Sequence, residues 1–301
     1  MKKLAIVLLA VLLVASIAAC SAKENDLTSI NDYMEPDYTH DLVDKDNNRL
    51  GTVTFNDIGG DSAEIVDYIG KYEPHSITVP KEVGEKGSER TVTGIGNEAF
   101  FYCTTATEII LPDTVEYIGD FAFAGCSNIT SITIPANVKY IGENAFYKCT
   151  KLKEVKFEGT ALESIGAFAF NECPALTTVN IPEGTLSIGD AAFMNCPVLE
   201  SFKAPASLKS IGQLAFYGCK ALNVKDAVDL SAALNITVTE VEDDAGEKKE
   251  VISIGEFAFV SVNKLNIKVP ADANSAVAKY VAAMKDFVES QDEPVEEVPA
   301  Q

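Results

Sequence analysis

The chain has 301 residues, with 24 Lys and Arg against 45 Asp and Glu, so its formal net charge at neutral pH is −21. A polyanion of this size repels phosphate backbones and anionic lipid headgroups, which strongly disfavours nucleic-acid binding. The apolar fraction of 47% is typical of a folded globular protein, whereas a content of only two His leaves little for imidazole-based metal or acid–base chemistry.

The first predicted element is an export signal over residues 1–19. A short basic start precedes an uninterrupted apolar run, Leu4 to Ala15, which is too short for a membrane span of about 20 residues. Ile17-Ala18-Ala19-Cys20 resembles the bacterial lipobox, so we predict a lipid anchor at Cys20. The alternative is a plain signal peptide in which this Cys is incidental. Residues 20–48 are polar and aperiodic, which predicts a flexible tether after the lipidated Cys.

Residues 49–90 predict an N-terminal cap with a degenerate first coil, because they contain short β-prone runs such as Ser76-Ile77-Thr78-Val79-Pro80. The charged segment 82–90 is typical of a hairpin tip. A second such tip is predicted around 243–249. These projections could be contact points, or they could protect sheet edges from pairing.

Residues 91–262 are a repeat. The pattern Ile-Gly-x-x-Ala-Phe-x-x-Cys begins at six positions spaced by 23 or 24 residues, and a seventh copy follows after an insertion at about 223–250. The copies begin at Ile95, Ile118, Ile141, Ile165, Ile188, Ile211 and Ile254. A fixed period of this length predicts a solenoid of stacked coils, each unable to bury its apolar side alone.

Each repeat predicts two extended stretches and one helical turn. In the third copy, Ile132 and Ile134 alternate with polar residues up to Pro135, which predicts a short strand. Gly142 is predicted to provide a turn, and the residue after it to cap a helix start. Ala-Phe-x-x-Cys is then one helical turn that points Phe and Cys inward. The predicted column of inward rings is Phe100, Phe123, Phe146, Phe170, Phe193, Phe216 and Phe259.

The C-terminal part predicts a second cap and a tail. Residues 263–287 include a helix from about Asn274, whose apolar residues recur at helical spacing and should cover the last coil. Residues 288–301 contain five acidic residues and two Pro, which predicts a disordered acidic tail.

The repeat resembles the bacterial surface leucine-rich repeat of the BspA-like, Treponema type, which has the same Ile-Gly-x-x-Ala-Phe-x-x-Cys core in a 23-residue unit. The resemblance covers about residues 63–287. It implies an α/β solenoid: a right-handed leucine-rich-repeat coil with a parallel sheet on one face, short helical turns on the other, and a C-terminal helix as cap.

The other six Cys occupy one position in successive coils, so neighbouring thiols are parallel and about 4.8 Å or more apart. Disulfides need Cβ atoms about 3.5–4.5 Å apart, and a zinc site needs convergent ligands. Buried free thiols are therefore favoured over disulfides, with Cys acting as a small apolar residue.

The predicted strands present outward rows that form a wide polar face without an aromatic anchor. At any single position a solvated side chain is the simpler interpretation, whereas the whole face is a candidate protein-binding surface. The candidate residues are Thr107, Glu108, Ile110, Thr130, Ser131, Thr133, Lys153, Glu154, Lys156, Thr177, Thr178, Asn180, Glu200, Ser201 and Lys203.

No nucleophile-elbow, zinc-protease, P-loop or dinucleotide-binding motif occurs, and the sequence predicts neither a cofactor, a metal site nor catalysis. The resemblance implies a lipid-anchored cell-surface protein that binds host or envelope proteins, with adhesion as one such role. Capture of an envelope glycan or another ligand is the alternative, although the strand face carries no aromatic platform for a sugar. An enzyme is the third class.

Overall fold

The computed structural model of the chain describes residues 38–43, 49–70, 74–222, 228–229, 238–242, 248–252, 254–255, 258–259, 267–268 and 278–282. All of these residues belong to one unit, Tyr38–Gln301. Coils are numbered by their copy of the motif, from the first at Ile95 to the seventh at Ile254, and motif positions run from one (Ile) to nine (Cys). The described coils have two strand-bearing walls and a third wall made of turns.

The first wall is a ten-stranded sheet in the order β1-β2-β3-β6-β8-β10-β12-β14-β15, with β5 paired to β6. From β3 along this path the strands are parallel, and the motif Ile of one coil pairs with that of the next, as the repeat spacing predicts. The strands are Tyr38–Val43 (β1), Arg49–Gly59 (β2), Ser62–Gly70 (β3), Glu82–Val83 (β5), Arg90–Ile95 (β6), Tyr117–Ile118 (β8), Tyr140–Ile141 (β10), Ser164–Ile165 (β12), Ser187–Ile188 (β14) and Ser210–Ile211 (β15).

The second wall carries a parallel sheet of β9, β11 and β13 and a separate parallel pair of β4 and β7. In β9, Ile132 and Ile134 are buried and Ser131 and Thr133 are exposed, because successive side chains of a strand point to opposite faces. The strands of this wall are His75–Thr78 (β4), Ala106–Ile110 (β7), Ser131–Ile134 (β9), Glu154–Phe157 (β11) and Thr178–Val179 (β13).

The third wall is not helical, so the predicted helical turns are wrong. In coils one to six, the residues at motif positions four and eight have positive φ, which an α-helix of L-residues does not contain. In the first coil these are Glu98 at φ 61° and Tyr102 at φ 53°. The segment is therefore a series of tight turns, which a period read from apolar residues alone cannot distinguish from a helix.

Hydrogen bonds explain this turn wall. The Phe100 N–H donates to Ala122 O of the next coil at 2.7 Å, whereas the Phe101 N–H turns back to Glu98 O at 2.9 Å. The same alternation recurs in later coils, for example from Phe123 to Ala145 O at 2.7 Å. Every second N–H thus bonds across coils, which satisfies buried backbone groups without a helix or a strand.

The predicted helix caps are also wrong, because their side chains bond across coils. Asn97 Oδ1 accepts from the Asp120 N–H at 2.8 Å, and Asp120 Oδ1 accepts from the Glu143 N–H at 2.7 Å. Gly142 is required for a different reason from the one predicted. A Cβ there would lie 2.5 Å from Gly119 C, so adjacent coils approach too closely for any side chain.

The predicted Phe column is confirmed and forms the centre of the core. All seven rings are buried, and consecutive rings stack with centroids 5.0–5.3 Å apart and interplanar angles of 14° or less. Phe202 from the second wall adds a further ring, 4.5 Å from that of Phe216. Stacking at the coil repeat therefore makes one continuous aromatic core through the described coils.

At the N-terminal end the structure corrects the predicted tether. Tyr38–Val43, inside the segment predicted as flexible over 20–48, forms β1 and pairs antiparallel with β2. Leu42 is buried, and the Tyr38 ring stacks on Phe55 at 5.4 Å. Ahead of the first motif copy, β3 and β4 lie in the two strand walls, and the Tyr68 ring covers the end of the Phe column, 5.5 Å from Phe100.

Both predicted hairpins form. β5 pairs antiparallel with β6, and within the insertion Val238–Glu242 (β17) pairs antiparallel with Lys248–Ile252 (β18). Val228–Asp229 (β16) and Ile267–Lys268 (β19) make a further parallel pair. Residues 278–282 are helical, and their Tyr280 hydroxyl donates to Gly255 O at 3.0 Å. The remainder of the predicted C-terminal helix, the signal peptide, Cys20 and the acidic tail lie outside the described residues.

Candidate functional site

The strand face is the outward surface of the second wall, and the structure exposes all fifteen candidate residues at least in part. Alternation along the strands produces it: Ile132 and Val155 point inward, while their neighbours point to solvent. Across coils, Ser131 lies beside Glu154 and Glu154 beside Thr178, and Thr133 lies beside Lys156. These rows of side chains are therefore held in register by the parallel ladder.

The predicted rows do not form one uninterrupted sheet. Thr107, Glu108 and Ile110 belong to β7, which pairs with β4 rather than with β9. Glu108 is instead held from the other side, where its carboxylate accepts a hydrogen bond from the Ser76 hydroxyl at 3.0 Å. The face thus has two parts, the β4–β7 pair and the β9–β11–β13 sheet.

One row of the candidate residues also links successive coils by hydrogen bonds. This row is Thr107, Thr130, Lys153, Thr177 and Glu200. The Lys153 N–H donates to Thr130 O at 2.9 Å, the Thr177 N–H to Lys153 O at 3.0 Å, and the Glu200 N–H to Thr177 O at 3.1 Å. The Thr177 hydroxyl also donates to Lys153 O at 3.1 Å, and that of Thr107 to His75 O at 3.1 Å. This row therefore ties successive coils together at the edge of the face.

Charges on the strand face balance, although the chain as a whole is strongly acidic. The fifteen candidates include three Lys and three Glu, and Lys156 Nζ lies 3.4 Å from Glu154 Oε2. Because these side chains are exposed, the pair adds little stability. The absence of net charge matters more, since a neutral face does not repel an acidic partner.

Sequence reasoning missed a second polar surface, on the first wall. Tyr117 and Tyr140 occupy the residue before the motif Ile, and Ser164, Ser187 and Ser210 follow in the same row. The Tyr117 hydroxyl donates to Glu64 at 3.1 Å and that of Tyr140 to Glu163 at 3.0 Å. Burial, and after it the neighbouring Glu64 carboxylate, raises the pKa of the Tyr117 phenol, whereas the hydrogen bond to Glu163 is the main cause that raises the pKa of Tyr140. The signal was present in the repeat, because the residue before an inward Ile must point outward.

The six described Cys are free thiols, as predicted. Sequence reasoning missed that five of them are hydrogen-bond donors: Cys126 Sγ lies 3.1 Å from Phe100 O, and Cys149 Sγ lies 3.2 Å from Phe123 O. Burial raises the pKa of these thiols, so they are neutral and unreactive at neutral pH. Cys103 differs because it is only partly buried, although burial raises its pKa as well.

Within the described residues, no group of three or more His, Cys, Asp or Glu could hold a metal ion. In the same part of the chain, no helix is long and apolar enough to cross a membrane.

The comparisons with known proteins agree with this architecture. Residues 93–225 match the model of the BspA type leucine-rich repeat region in six copies. A leucine-rich repeat protein of Bacteroides ovatus is 31% identical with a TM-score of 0.59; the match covers 72% of this chain but only 52% of that protein, about half its length. The Treponema pallidum leucine-rich repeat protein is 23% identical with a TM-score of 0.55, over 89% of this chain and 99% of its own, and shares the fold.

No curated protein matches the chain. Leucine-rich repeat proteins are typically non-enzymatic scaffolds that bind proteins, and BspA-like members are typically found at the cell surface. Residues 93–225 of this chain are thus a BspA-type leucine-rich repeat region by the match of the family model.

Proposed function

We propose that this chain is a lipid-anchored cell-surface protein that binds host or envelope proteins through its strand face and performs no catalysis. Adhesion to a neighbouring cell is one outcome of such binding. The observation that carries the proposal is the strand face itself, where exposed side chains from successive coils are held in register and balanced in charge. A rigid face of this kind loses little conformational entropy on binding.

The strand face is tested with a triple variant of three equivalent positions in successive coils: Thr133→Ala, Lys156→Ala and Asn180→Ala. All three side chains are exposed, so the fold should survive their truncation. The matched control is Ser164→Ala, Ser187→Ala and Ser210→Ala in β12, β14 and β15 of the first wall.

Affinity capture from host-cell and envelope extracts, read by quantitative mass spectrometry, compares the two variants with the parent. Proteins retained by the parent and by the control variant, but lost from the strand-face variant, are the expected result. Equal retention by both variants would show that the strand face is not the contact surface.

We propose further that Cys20 carries the lipid that holds the protein at the envelope. The support is the order of the N-terminal segment, in which a short apolar run ends at Ile17-Ala18-Ala19-Cys20. In Cys20→Ser, the protein should move from the detergent phase to the aqueous or secreted fraction, or accumulate as an uncleaved precursor. Unchanged partitioning of that variant into the detergent phase would contradict the lipid anchor.

A further inference from the structure

A groove of about 560 Å³ lies where the turn wall meets the second wall. Its lining does not include Thr133, Lys156 or Asn180 of the strand face. It runs from the end of the third coil to the sixth and is lined by residues at motif position eight, by residues that directly follow the Cys, and by Tyr217 at position seven. Its main lining residues are Glu172, Pro174, Asn195, Pro197, Tyr217 and Lys220. A half-buried Tyr ring and two Pro supply apolar surface, and the other three residues supply hydrogen-bonding groups.

The repeat shows what this backbone accommodates. Gly125 and Gly218 both occupy motif position eight, with φ of 75° and 78°. Against Gly125 lies the ring of Tyr102 from the preceding coil, at 2.9 Å from the position that a Cβ would take. Against Gly218 lies the shorter Asn195, whose Oδ1 is 2.7 Å from the corresponding position. The backbone at motif position eight therefore accepts a six-membered ring against Gly125 in the second coil. At the equivalent Gly218 in the sixth coil, the same backbone forms part of the groove.

Some polar side chains on the coils bond from coil to coil, as in Lys139 to Glu116 at 2.9 Å or Asn137 to Asp113 O at 2.8 Å. Others, such as that of Thr130, make no such bond within the described residues. Within the part of the chain that the structure describes, the side chains of Glu172, Asn195 and Lys220 form no hydrogen bond or ion pair with another residue. They supply acceptors and donors, and the single acid and single base balance in charge.

From this geometry we propose that the groove binds a glycan, with one neutral pyranose ring stacked on Tyr217 and seated beside Asn195. Its hydroxyls bond to the carboxylate of Glu172, the amide of Asn195 and the ammonium of Lys220. The six-membered ring of a pyranose is comparable in size to the Tyr102 ring and, unlike an aromatic ring, carries hydroxyls in several directions. These hydroxyls match the three polar side chains that have no partner within the described residues. The groove contains none of Thr133, Lys156 and Asn180 of the strand face, so glycan binding in the groove and protein binding on the strand face can be lost independently.

Isothermal titration with neutral tetrasaccharides (cellotetraose, tetra-N-acetylchitotetraose and mannotetraose) tests the proposal. The parent should show saturable binding of at least one of them. Tyr217→Ala should weaken that binding roughly tenfold or more, because it removes the stacking surface. Asn195→Tyr copies the Tyr102 arrangement over Gly218; it should leave the melting temperature nearly unchanged and abolish binding, because the protein's own ring then occupies the seat of the sugar.

The matched control is Tyr140→Ala, which removes an exposed Tyr of the first wall and should leave saccharide affinity unchanged. The proposal is overturned if none of the three saccharides binds at millimolar concentration, or if Asn195→Tyr binds as tightly as the parent while remaining folded. It is overturned equally if Asn195→Tyr loses a captured protein but no saccharide binds the parent, since the groove is then a protein contact.

Discussion

The turn wall and the second wall belong to the same coils, yet they satisfy their backbones in different ways. On the second wall, N–H groups donate to the preceding coil in some places and to the following coil in others, as from Lys153 to Thr130 O and from Val79 to Ile110 O. On the turn wall, donors in the earlier coil point forward, as from Phe100 to Ala122. The strands of the second wall therefore require only an alternation of apolar and polar residues. The turn wall requires, in addition, a positive φ at two positions of each motif.

This difference predicts where substitutions are tolerated. Side chains on the second wall point to solvent on every second residue, so their identity can vary with the partner. The turn wall carries the rings of the core, lies beside glycines that leave no room for a Cβ, and holds non-glycine residues in the left-handed region.

The largest effect is expected for Phe170→Ala on the turn wall. Its ring is sandwiched between those of Phe146 and Phe193 at 5.0 and 5.2 Å, so truncation leaves a cavity inside the column. Unfolding free energy should fall by about 3–5 kcal/mol, measured by chemical denaturation, and the thermal transition should broaden or split. The control, Phe168→Ala, truncates a half-buried ring at position four and should cost much less. Equal losses would show that the column does not dominate stability.

Gly142→Ala should cost about 3 kcal/mol, near the upper end for overpacking a core. The new Cβ would lie 2.5 Å from Gly119 C and 2.6 Å from Asp120 N, and backbone atoms cannot move aside as a flexible side chain can. Differential scanning calorimetry measures the loss. The contrasting variant is Gly60→Asn: φ there is 61° and nothing lies within 4 Å, so a residue that tolerates this φ should melt nearly like the parent. A parent-like melt of Gly142→Ala would mean that the coils can separate.

The sequence predicts the parts of this fold that depend on periodicity. Register, the Phe column and the free thiols follow from one motif repeated every 23 residues, because each position must meet its own copy in the next coil. Exposure of the strand-face residues follows from alternation along β9 and β11. The two hairpins follow from charged tips between alternating strands.

What the sequence did not predict depends on hydrogen bonds rather than on apolar spacing. A helical turn and a series of tight turns both point Phe and Cys inward, and only the N–H partners of residues such as Phe100 distinguish them. β1 was missed because a short edge strand with one buried residue, Leu42, has no visible period. The groove beside Tyr217 arises from a difference between coils, and a repeated motif carries only what the coils share.

A smaller effect, of opposite sign, is expected for Glu98→Gly on the turn wall. Glu98 is exposed with φ 61°, a region that costs a residue with a Cβ about 1–2 kcal/mol. Glycine removes that cost but loses roughly 0.5–1 kcal/mol of chain entropy on folding, so a net gain of about 0.5 kcal/mol is expected. Glu98→Ala controls for the lost charge, since it keeps the Cβ and should not share the gain. If both variants melt alike, the positive φ is not a significant source of strain.

The smallest effects are expected on the second wall, for Thr177→Val and Thr130→Val. The Thr177 hydroxyl donates to Lys153 O, and the Thr177 N–H already donates to the same carbonyl, so its loss removes only one of two bonds. A typical hydrogen bond contributes about 1 kcal/mol net, and a shared, exposed one less, so Thr177→Val should cost about 0.5 kcal/mol. Thr130 is exposed and its hydroxyl makes no hydrogen bond within the described residues, so Thr130→Val should melt as the parent does. Chemical denaturation of both variants, repeated to resolve a few tenths of a kcal/mol, separates the two. If Thr130→Val proves the more costly, this row does not tie the coils through the Thr177 hydroxyl, and its stability comes from the backbone ladder alone.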